Sequence, residues 1–189
     1  MKKLLSALML LLFTLPAFAQ LNAEQAAIKK VFFDFLAFYK KNEAKFNSFK
    51  LYKGTGEENN PPYKLQWKEA EKYFTYLRTN VPFVGEAYIN AERNHFKDSE
   101  KNFKDYPEEE LPSGFDYDRW AGGQESIEYT YKWYTSKANK YKVIINGNKA
   151  TLKIGSGSGK DMSWSVVPFA KENGKWKMAD NIYPADDGN

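Results

Sequence analysis

The chain has 189 residues, with 28 basic and 24 acidic side chains, a formal net charge of +4 and no cysteine. The lack of cysteine excludes disulfides and thiolate metal sites, so stability must come from packing. The small, mixed charge excludes the strongly basic surface of a nucleic-acid-binding protein. Aromatic residues make up 17% of the chain. This fraction indicates either a core and sheet built from Phe and Tyr or an aromatic-lined pocket.

The first 19 residues have the pattern of a secretory signal peptide. Two lysines precede an apolar run over residues 4–15, and the run leads to Ala17-Phe18-Ala19. That order predicts a leader over residues 1–19, cleaved after Ala19. The apolar run is shorter than the ~20 residues of a membrane-spanning helix. We therefore expect an exported protein, periplasmic or secreted, whose residues 20–189 form a single domain.

The residue after the predicted cleavage site bears on membrane attachment. Lipid-anchored bacterial proteins need a cysteine there, and this chain has Gln20. We therefore expect no stable membrane anchor after cleavage. An exported location also argues against nucleotide cofactors, and the sequence predicts no cofactor.

Helices are predicted in the N-terminal half. The first begins near Asn22 and ends before Asn47, because apolar residues recur at helical spacing through it. Residues 53–62 contain two Gly, two Asn and two Pro, which predicts a loop. Further helices are predicted over residues 65–79 and 83–104. Residues 105–124 are predicted to be irregular.

The C-terminal half favours antiparallel strands. Apolar and polar residues alternate from Ile127 to Trp133, which predicts a first strand. Alternation continues near residues 141–145, 150–154 and 162–166, and Asn146-Gly147 and Asn173-Gly174 are favoured hairpin turns. The predicted fold class is α+β: N-terminal helices packed on a curved, cone-like antiparallel sheet of four to five strands.

Two segments resemble familiar motifs without matching them. The segment Gly155–Lys160 resembles a phosphate loop, but Ile154 stands where the pattern needs Gly and Asp161 follows the lysine. Asp116-Tyr117-Asp118 resembles the start of a calcium loop, but Trp120 stands at its fifth position, which requires Asp or Asn. The sequence therefore predicts no metal site and names no catalytic residue.

His95 is the only histidine in the chain. A zinc site made of imidazoles is therefore excluded. Two interpretations stay open: a helix-surface or partly packed histidine, and an acid or base within a pocket.

The best candidate for a ligand-binding site is the loop before the first predicted strand. Charged and large aromatic residues follow one another there, and such clusters are typical of binding surfaces. The alternative is structural, with Asp residues in turns and aromatic residues in the core. The predicted ligand-binding residues are Asp116, Tyr117, Asp118, Arg119, Trp120, and, on the strand face, Tyr131 and Trp133.

Several segments together resemble a known family. They are the leader, the helix segment VFFDFLAFY, the Phe115–Asp118 loop with Gln124, and the ending Asn173–Trp176. The chain resembles small bacterial envelope proteins of the YbjP-like type, a domain of unknown function (3828). The resemblance implies a fold like that of nuclear transport factor 2 or cystatin, with helices cradled by a curved sheet that often encloses a pocket. It implies no reaction.

Three hypotheses on function follow. The preferred one is a non-catalytic binding module of the cell envelope, whose partner is a small ligand or an envelope protein. The second is an enzyme whose pocket uses His95, Asp116 or Asp118 in acid–base chemistry. The third is an interaction or immunity-type protein that docks on a partner. A strongly basic nucleic-acid surface is not expected.

Overall fold

The computed structural model describes residues 2–157 and 162–185, with side chains described from residue 23 onward. Within these residues the chain forms four helices and seven strands. The helices are α1 (Lys2–Phe46), α2 (Trp67–Asn80), α3 (Glu86–Asp105) and α4 (Ile127–Tyr134). The strands are β1 (Tyr52–Thr55), β2 (Asn60–Leu65), β3 (Lys140–Asn146), β4 (Lys149–Ser156), β5 (Ser163–Glu172), β6 (Lys175–Met178) and β7 (Tyr183–Pro184).

Helix α1 packs against the sheet and against α4. Its inward residues recur at helical spacing and are almost completely buried: Ile28, Phe32, Phe35, Leu36 and Tyr39. The predicted amphipathic helix is therefore confirmed, although its helical backbone begins at Lys2 and not near Asn22. The predicted leader falls on residues 1–19, whose side chains lie outside the described part, and its cleavage stays a prediction.

The predicted packing of helices on an antiparallel sheet is confirmed. The sheet has five strands, in the order β3-β4-β5-β6 with β7 paired to β5. All of these pairings are antiparallel. Alternate residues of β4 and β5 face the core, and burying them stabilises the fold because apolar area leaves water. These inward residues are Ala150, Leu152, Ile154, Val167 and Phe169.

The two predicted hairpin turns are present. Asn173 and Gly174 both have positive φ (49° and 75°) and join β5 to β6 as predicted. The β3–β4 turn lies one residue later than expected, because Asn146 still pairs with Lys149. Its central residues are therefore Gly147, with φ of 58°, and the following asparagine.

The two other predicted helices are confirmed with shifted ends. Helix α2 begins at Trp67 instead of residue 65, and α3 begins at Glu86 instead of residue 83. The start of α3 is held by a residue distant in sequence. The Glu172 carboxylate accepts hydrogen bonds from the backbone N–H groups of Glu86 and Ala87, at 3.0 and 3.2 Å. An acidic group there satisfies free N–H donors and the helix dipole.

The strand predicted over residues 127–133 is wrong, since this segment is helix α4. The Ser126 side chain accepts a hydrogen bond from the Tyr129 N–H at 3.3 Å and so caps the first turn. The buried residues Ile127, Thr130 and Tyr134 are three and four apart, which is helical spacing. The sequence also alternates between apolar and polar residues here, because the exposed face of α4 carries aromatic side chains. This alternation leads to the strand prediction, although the helical spacing is also present.

The loop predicted over residues 53–62 is also wrong in part. Strands β1 and β2 pair as an antiparallel hairpin, in which Tyr52 faces Leu65. The Pro61-Pro62 peptide bond is cis. The pairing shifts between Lys53 and Thr55, so the strands are irregular and give no regular alternation in sequence.

Candidate ligand-binding cavity

A cavity of about 840 Å³ opens between the C-terminal end of α1, the β1–β2 hairpin and the loop before α4. Seven aromatic side chains line it, from all three of these segments. Tyr39 and Phe46 come from α1, Tyr52 comes from β1, and Phe115 and Trp120 come from the loop. Their packing is continuous, since the Phe46 and Trp120 ring centroids lie 5.2 Å apart. The cavity therefore has an apolar wall of the kind that small-molecule sites use.

The loop that bears the predicted residues is closed by backbone hydrogen bonds. The Asp118 N–H donates to the Gly123 carbonyl at 2.8 Å, and the Gly122 N–H donates to the Asp118 carbonyl at 2.8 Å. Gly122 has a positive φ of 73°, and a Cβ there would lie 2.8 Å from the Cβ of Ile182. Glycine is therefore required at this turn.

Both carboxylate oxygens of Asp118 accept hydrogen bonds. The Tyr39 hydroxyl donates to Oδ2 at 2.8 Å, and the Ala121 N–H donates to Oδ1 at 3.0 Å. Burial raises the pKa of Asp118 above its ordinary value, in spite of these bonds and of the Arg119 charge, which lower it. Asp118 is thus a positioned, partly buried acid at the wall of the cavity.

Arg119 is held by a buried ion pair behind that wall. Its Nη2 lies 2.8 Å from Oε2 of Glu92 on α3, and both side chains are buried. Tyr73 donates to the same Glu92 oxygen at 2.7 Å, and the Asn181 amide donates to the other at 2.7 Å. Trp120 extends this network, since its indole N–H donates to the Tyr73 hydroxyl at 2.7 Å.

The pKa shifts of the pair follow from these contacts. Burial would raise the pKa of Glu92, but the Arg119 charge and the hydrogen bonds outweigh it, so the pKa lies below its ordinary value. Burial would lower the pKa of Arg119, but Glu92 holds it above its ordinary value. Rings of Phe96 and Phe115 cover the guanidinium, with centroids 4.7 and 4.8 Å from its carbon. The Arg119 charge is therefore neutralised inside the protein.

His95 contacts the backbone of the loop that lines the cavity. Its Nε2 lies 3.0 Å from the Gly114 carbonyl, which also accepts a bond from Arg119 Nη1 at 3.3 Å. His95 is not among the described residues that line the cavity. Its position therefore agrees with a partly packed histidine and not with an acid or base within the cavity.

The structure brings together four of the predicted site residues and separates the other three. Tyr117, Asp118, Arg119 and Trp120 line the cavity. Asp116 is exposed and is not among the described lining residues.

The other two predicted residues lie on helix α4 and not on a strand face. Tyr131 is half-buried, with Lys40 Nζ 5.0 Å from its ring centroid. Trp133 is 44% exposed and stacks on Tyr129, with ring centroids 6.1 Å apart. Trp133 lines a separate cavity of about 280 Å³ with Gly122 and Gly123. Tyr131 and Trp133 therefore do not share the site of the loop residues.

Sequence reasoning missed the contribution of the first helix and hairpin. Glu43, Phe46, Phe49 and Tyr52 line the cavity, and Tyr39 bonds directly to Asp118. Aromatic residues spaced by three across the end of α1 are the one sequence pattern that could have indicated this wall. The cavity does not lie over the sheet, where the inward side chains belong to the buried core.

Two further properties concern the described residues as a whole. They hold no group of three or more His, Asp or Glu side chains arranged to bind a metal ion. They also include no helix that is both long and apolar enough to cross a membrane.

Comparisons of the chain with protein-family models, curated proteins and solved structures found no match. The resemblance to the YbjP-like family, and to the fold of nuclear transport factor 2 or cystatin, therefore stays a prediction.

Proposed function

We propose that this protein is a non-catalytic binding module that holds a small organic ligand in the cavity at the end of α1. The observation behind the proposal is the cavity itself, about 840 Å³ in volume and lined by seven aromatic side chains. Ligand sites in proteins usually measure ~300–1,000 Å³, with apolar walls and a few fixed polar groups. Asp118, held at both oxygens, is such a group.

Two polar side chains of the cavity wall, Asp118 and Arg119, are already paired within the protein, which favours ligand binding over catalysis. Arg119 is neutralised by Glu92, and the Asp118 oxygens are both engaged by donors of the protein. A nucleophile normally needs a base within hydrogen-bond reach. The described side chains that line the cavity include no histidine, and its one serine, Ser126, caps α4.

The experiment is a thermal-shift screen of the purified protein against amines, sugars, peptides and aromatic acids, followed by calorimetric titration of each hit. Asn47→Trp is the blocking variant, because Asn47 is exposed and lines the cavity. Ala44→Trp adds the same indole at an exposed position three residues earlier, which is not among the described lining residues. We expect Asn47→Trp to abolish binding and Ala44→Trp to retain it. Equal binding by both variants would contradict the proposal, as would silence across the panel.

We also propose that the protein works outside the cytoplasm, in the cell envelope or the medium, after removal of residues 1–19. The support is the leader pattern of the sequence alone. Mass spectrometry of the protein recovered from a bacterial host tests it. A first residue of Gln20 is expected, and an intact leader on protein retained in the cytoplasm would contradict export.

Acid–base catalysis is the alternative that one observation favours. Burial raises the pKa of Asp118, which is the shift that a general acid needs. Asp116 gives no such support because it is exposed. Turnover of ester, glycoside or amide substrates that is lost in Asp118→Asn would establish this alternative in place of the first.

An interaction protein is the other alternative. Tyr129 and Trp133 are 51% and 44% exposed and stacked on the outer face of α4, as anchor residues of an interface often are. Recovery of one stoichiometric partner by the natural protein and not by Trp133→Ala would favour it.

A further inference from the structure

We infer that the cavity takes a ligand that bears a positively charged organic ammonium group, with the charge placed between the end of α1 and the Asp118 carboxylate. This inference rests on the proposed function and specifies the chemical class of its ligand. Three separate features of the cavity agree on the sign of the charge.

The first feature is the balance of ionisable side chains. Three carboxylates line the cavity, those of Glu43, Asp118 and Glu125. The basic side chains of the lining are Arg119 and Lys50. Arg119 is already neutralised by a buried glutamate, and Lys50 and Glu125 are both exposed to solvent, which leaves the carboxylates of Glu43 and Asp118. The cavity therefore has a surplus of negative charge, which favours a cation over an anion.

Two of these carboxylates act on one place, the Tyr39 hydroxyl. Burial raises the pKa of Tyr39, and the Asp118 and Glu43 charges raise it further, against a smaller opposite effect of Arg119. Both carboxylate charges therefore act at this hydroxyl. A cation placed beside it would be attracted by both carboxylates at once.

The second feature is the end of α1. The helix ends at Phe46, and Glu43, Phe46 and the following residue Asn47 all line the cavity. The C-terminal end of a helix carries a partial negative charge of about half an elementary charge. Lys45 in the last turn offsets part of this charge, and the remainder favours an ammonium group over a carboxylate or phosphate.

The third feature is the aromatic wall. Ring faces attract cations within ~6 Å of the centroid, and the attraction is stronger where water is excluded. At the same end of α1, Lys45 Nζ already lies 4.6 Å from the Phe49 centroid and 5.6 Å from that of Tyr76, so the rings left for a ligand are those of the rest of the wall. Phe49 lines the cavity together with six other aromatic side chains.

The test uses three probes of nearly the same shape and different charge. They are choline, its neutral carbon analogue 3,3-dimethylbutan-1-ol, and the anion 3,3-dimethylbutanoate. Calorimetric titration into the purified protein at fixed ionic strength compares their affinities. We expect choline to bind about tenfold more tightly than the neutral analogue. We expect the anion to bind more weakly than both.

Two variants test whether the preference for choline arises in the cavity. Glu43→Gln should reduce the preference for choline over the neutral analogue, because it removes one of the two carboxylates that act on the Tyr39 hydroxyl. Glu57→Gln is the matched control, because it removes the same charge from an exposed side chain between β1 and β2 that is not among the described lining residues. Equal melting temperatures of both variants and the natural protein would show that folding is intact.

The outcomes separate this inference from the proposed function. Equal affinity for choline and the neutral analogue, or preference for the anion, would overturn the ammonium inference and still support a binding cavity. Failure of all three probes would also overturn it, whereas the proposed function is judged by the wider screen with Asn47→Trp. Loss of the choline preference in Glu57→Gln as much as in Glu43→Gln would equally count against the inference.

Discussion

Arg119 Nη2 lies 2.8 Å from Oε2 of Glu92, and the two side chains have relative exposures of only 3% and 0%. The pair joins the loop that lines the cavity to helix α3 across 27 residues of sequence. Removing one member of a buried pair leaves the other charge without compensation, and this is costly. The position of the loop therefore depends on this contact.

Glu92→Gln should lower the free energy of unfolding by about 3–5 kcal/mol, because Arg119 would keep its charge in a buried site. Urea denaturation followed by Trp fluorescence measures the change. Glu71→Gln is the control, since Glu71 pairs with Arg93, the neighbour of Glu92, on the exposed surface. We expect about 0–1 kcal/mol there. Equal losses in the two variants would contradict the role given to the buried pair.

The same pair predicts a pH dependence of stability. The folded-state pKa of Glu92 lies below its ordinary value of 4.5, because the Arg119 charge and hydrogen bonds outweigh burial. A carboxyl with a lowered folded-state pKa adds stability above its unfolded-state pKa, and this stability is lost as pH falls through the folded-state pKa. The free energy of unfolding should therefore fall more steeply from about pH 7 to about pH 3 in the natural protein than in Glu92→Gln. If the stability of the natural protein and of Glu92→Gln changed with pH in the same way, Glu92 would have the same pKa in the folded and unfolded states, which would contradict the prediction.

Asp118 should act in the opposite direction. Burial raises its folded-state pKa, so the stability it contributes is present below its unfolded-state pKa and is lost as pH rises through the folded-state pKa. Comparing Asp118→Asn with the natural protein over the same pH range isolates this effect. The stability that Asp118 adds to the natural protein should shrink as pH rises, whereas the stability that Glu92 adds should grow. A contribution of Asp118 that grows with pH would contradict the raised pKa.

Helix α4 depends on the residue that precedes it. Ser126→Ala should cost about 1 kcal/mol of stability, because the bond from the Tyr129 N–H to the serine hydroxyl is lost. Ser126→Asp keeps an acceptor at the cap and should remain close to the natural protein in urea denaturation. A loss of equal size in both variants would speak against the capped helix.

Gly114 holds the loop that meets His95 and Arg119. It has a positive φ of 81°, and a Cβ there would lie 2.4 Å from the Ser99 hydroxyl oxygen. Gly147 also has positive φ, but a Cβ there would meet nothing within 4 Å. Gly147→Ala should therefore cost about 1–2 kcal/mol through backbone strain alone. Gly114→Ala should cost about 1–3 kcal/mol more, because it also forces atoms together. Urea denaturation of both variants measures the two losses of stability. Equal losses would contradict the close contact between Gly114 and Ser99.

Prediction from sequence succeeds for the elements in which local patterns and tertiary packing agree. Helix α3 and the Asn173-Gly174 hairpin are of this kind, because helical spacing and positive φ are local properties. Helix α4 is not. Its buried face includes the polar Thr130, whereas the aromatic Tyr129 and Trp133 are exposed, so apolar character in the sequence does not separate the inward face from the outward one.

The candidate site was predicted in part for a similar reason. The 117–120 segment is conspicuous in sequence because charge and aromatic rings adjoin there. Its partners are distant: Tyr39 lies 79 residues before Asp118, and Glu92 lies 27 residues before Arg119. Contacts over such separations depend on how α1 and α3 pack, which no local pattern of one chain specifies.

The most direct test of the proposed ammonium site in the cavity is a proton–nitrogen NMR titration of the labelled protein with choline. The Trp120 indole N–H, which donates to the Tyr73 hydroxyl behind the cavity wall, is a reporter within the site. We predict saturable shifts of that signal and of backbone signals in residues 39–52 and 115–127. Shifts confined to the exposed aromatic residues of α4 or to the sheet, or spectra unchanged at high choline concentration, would contradict the account.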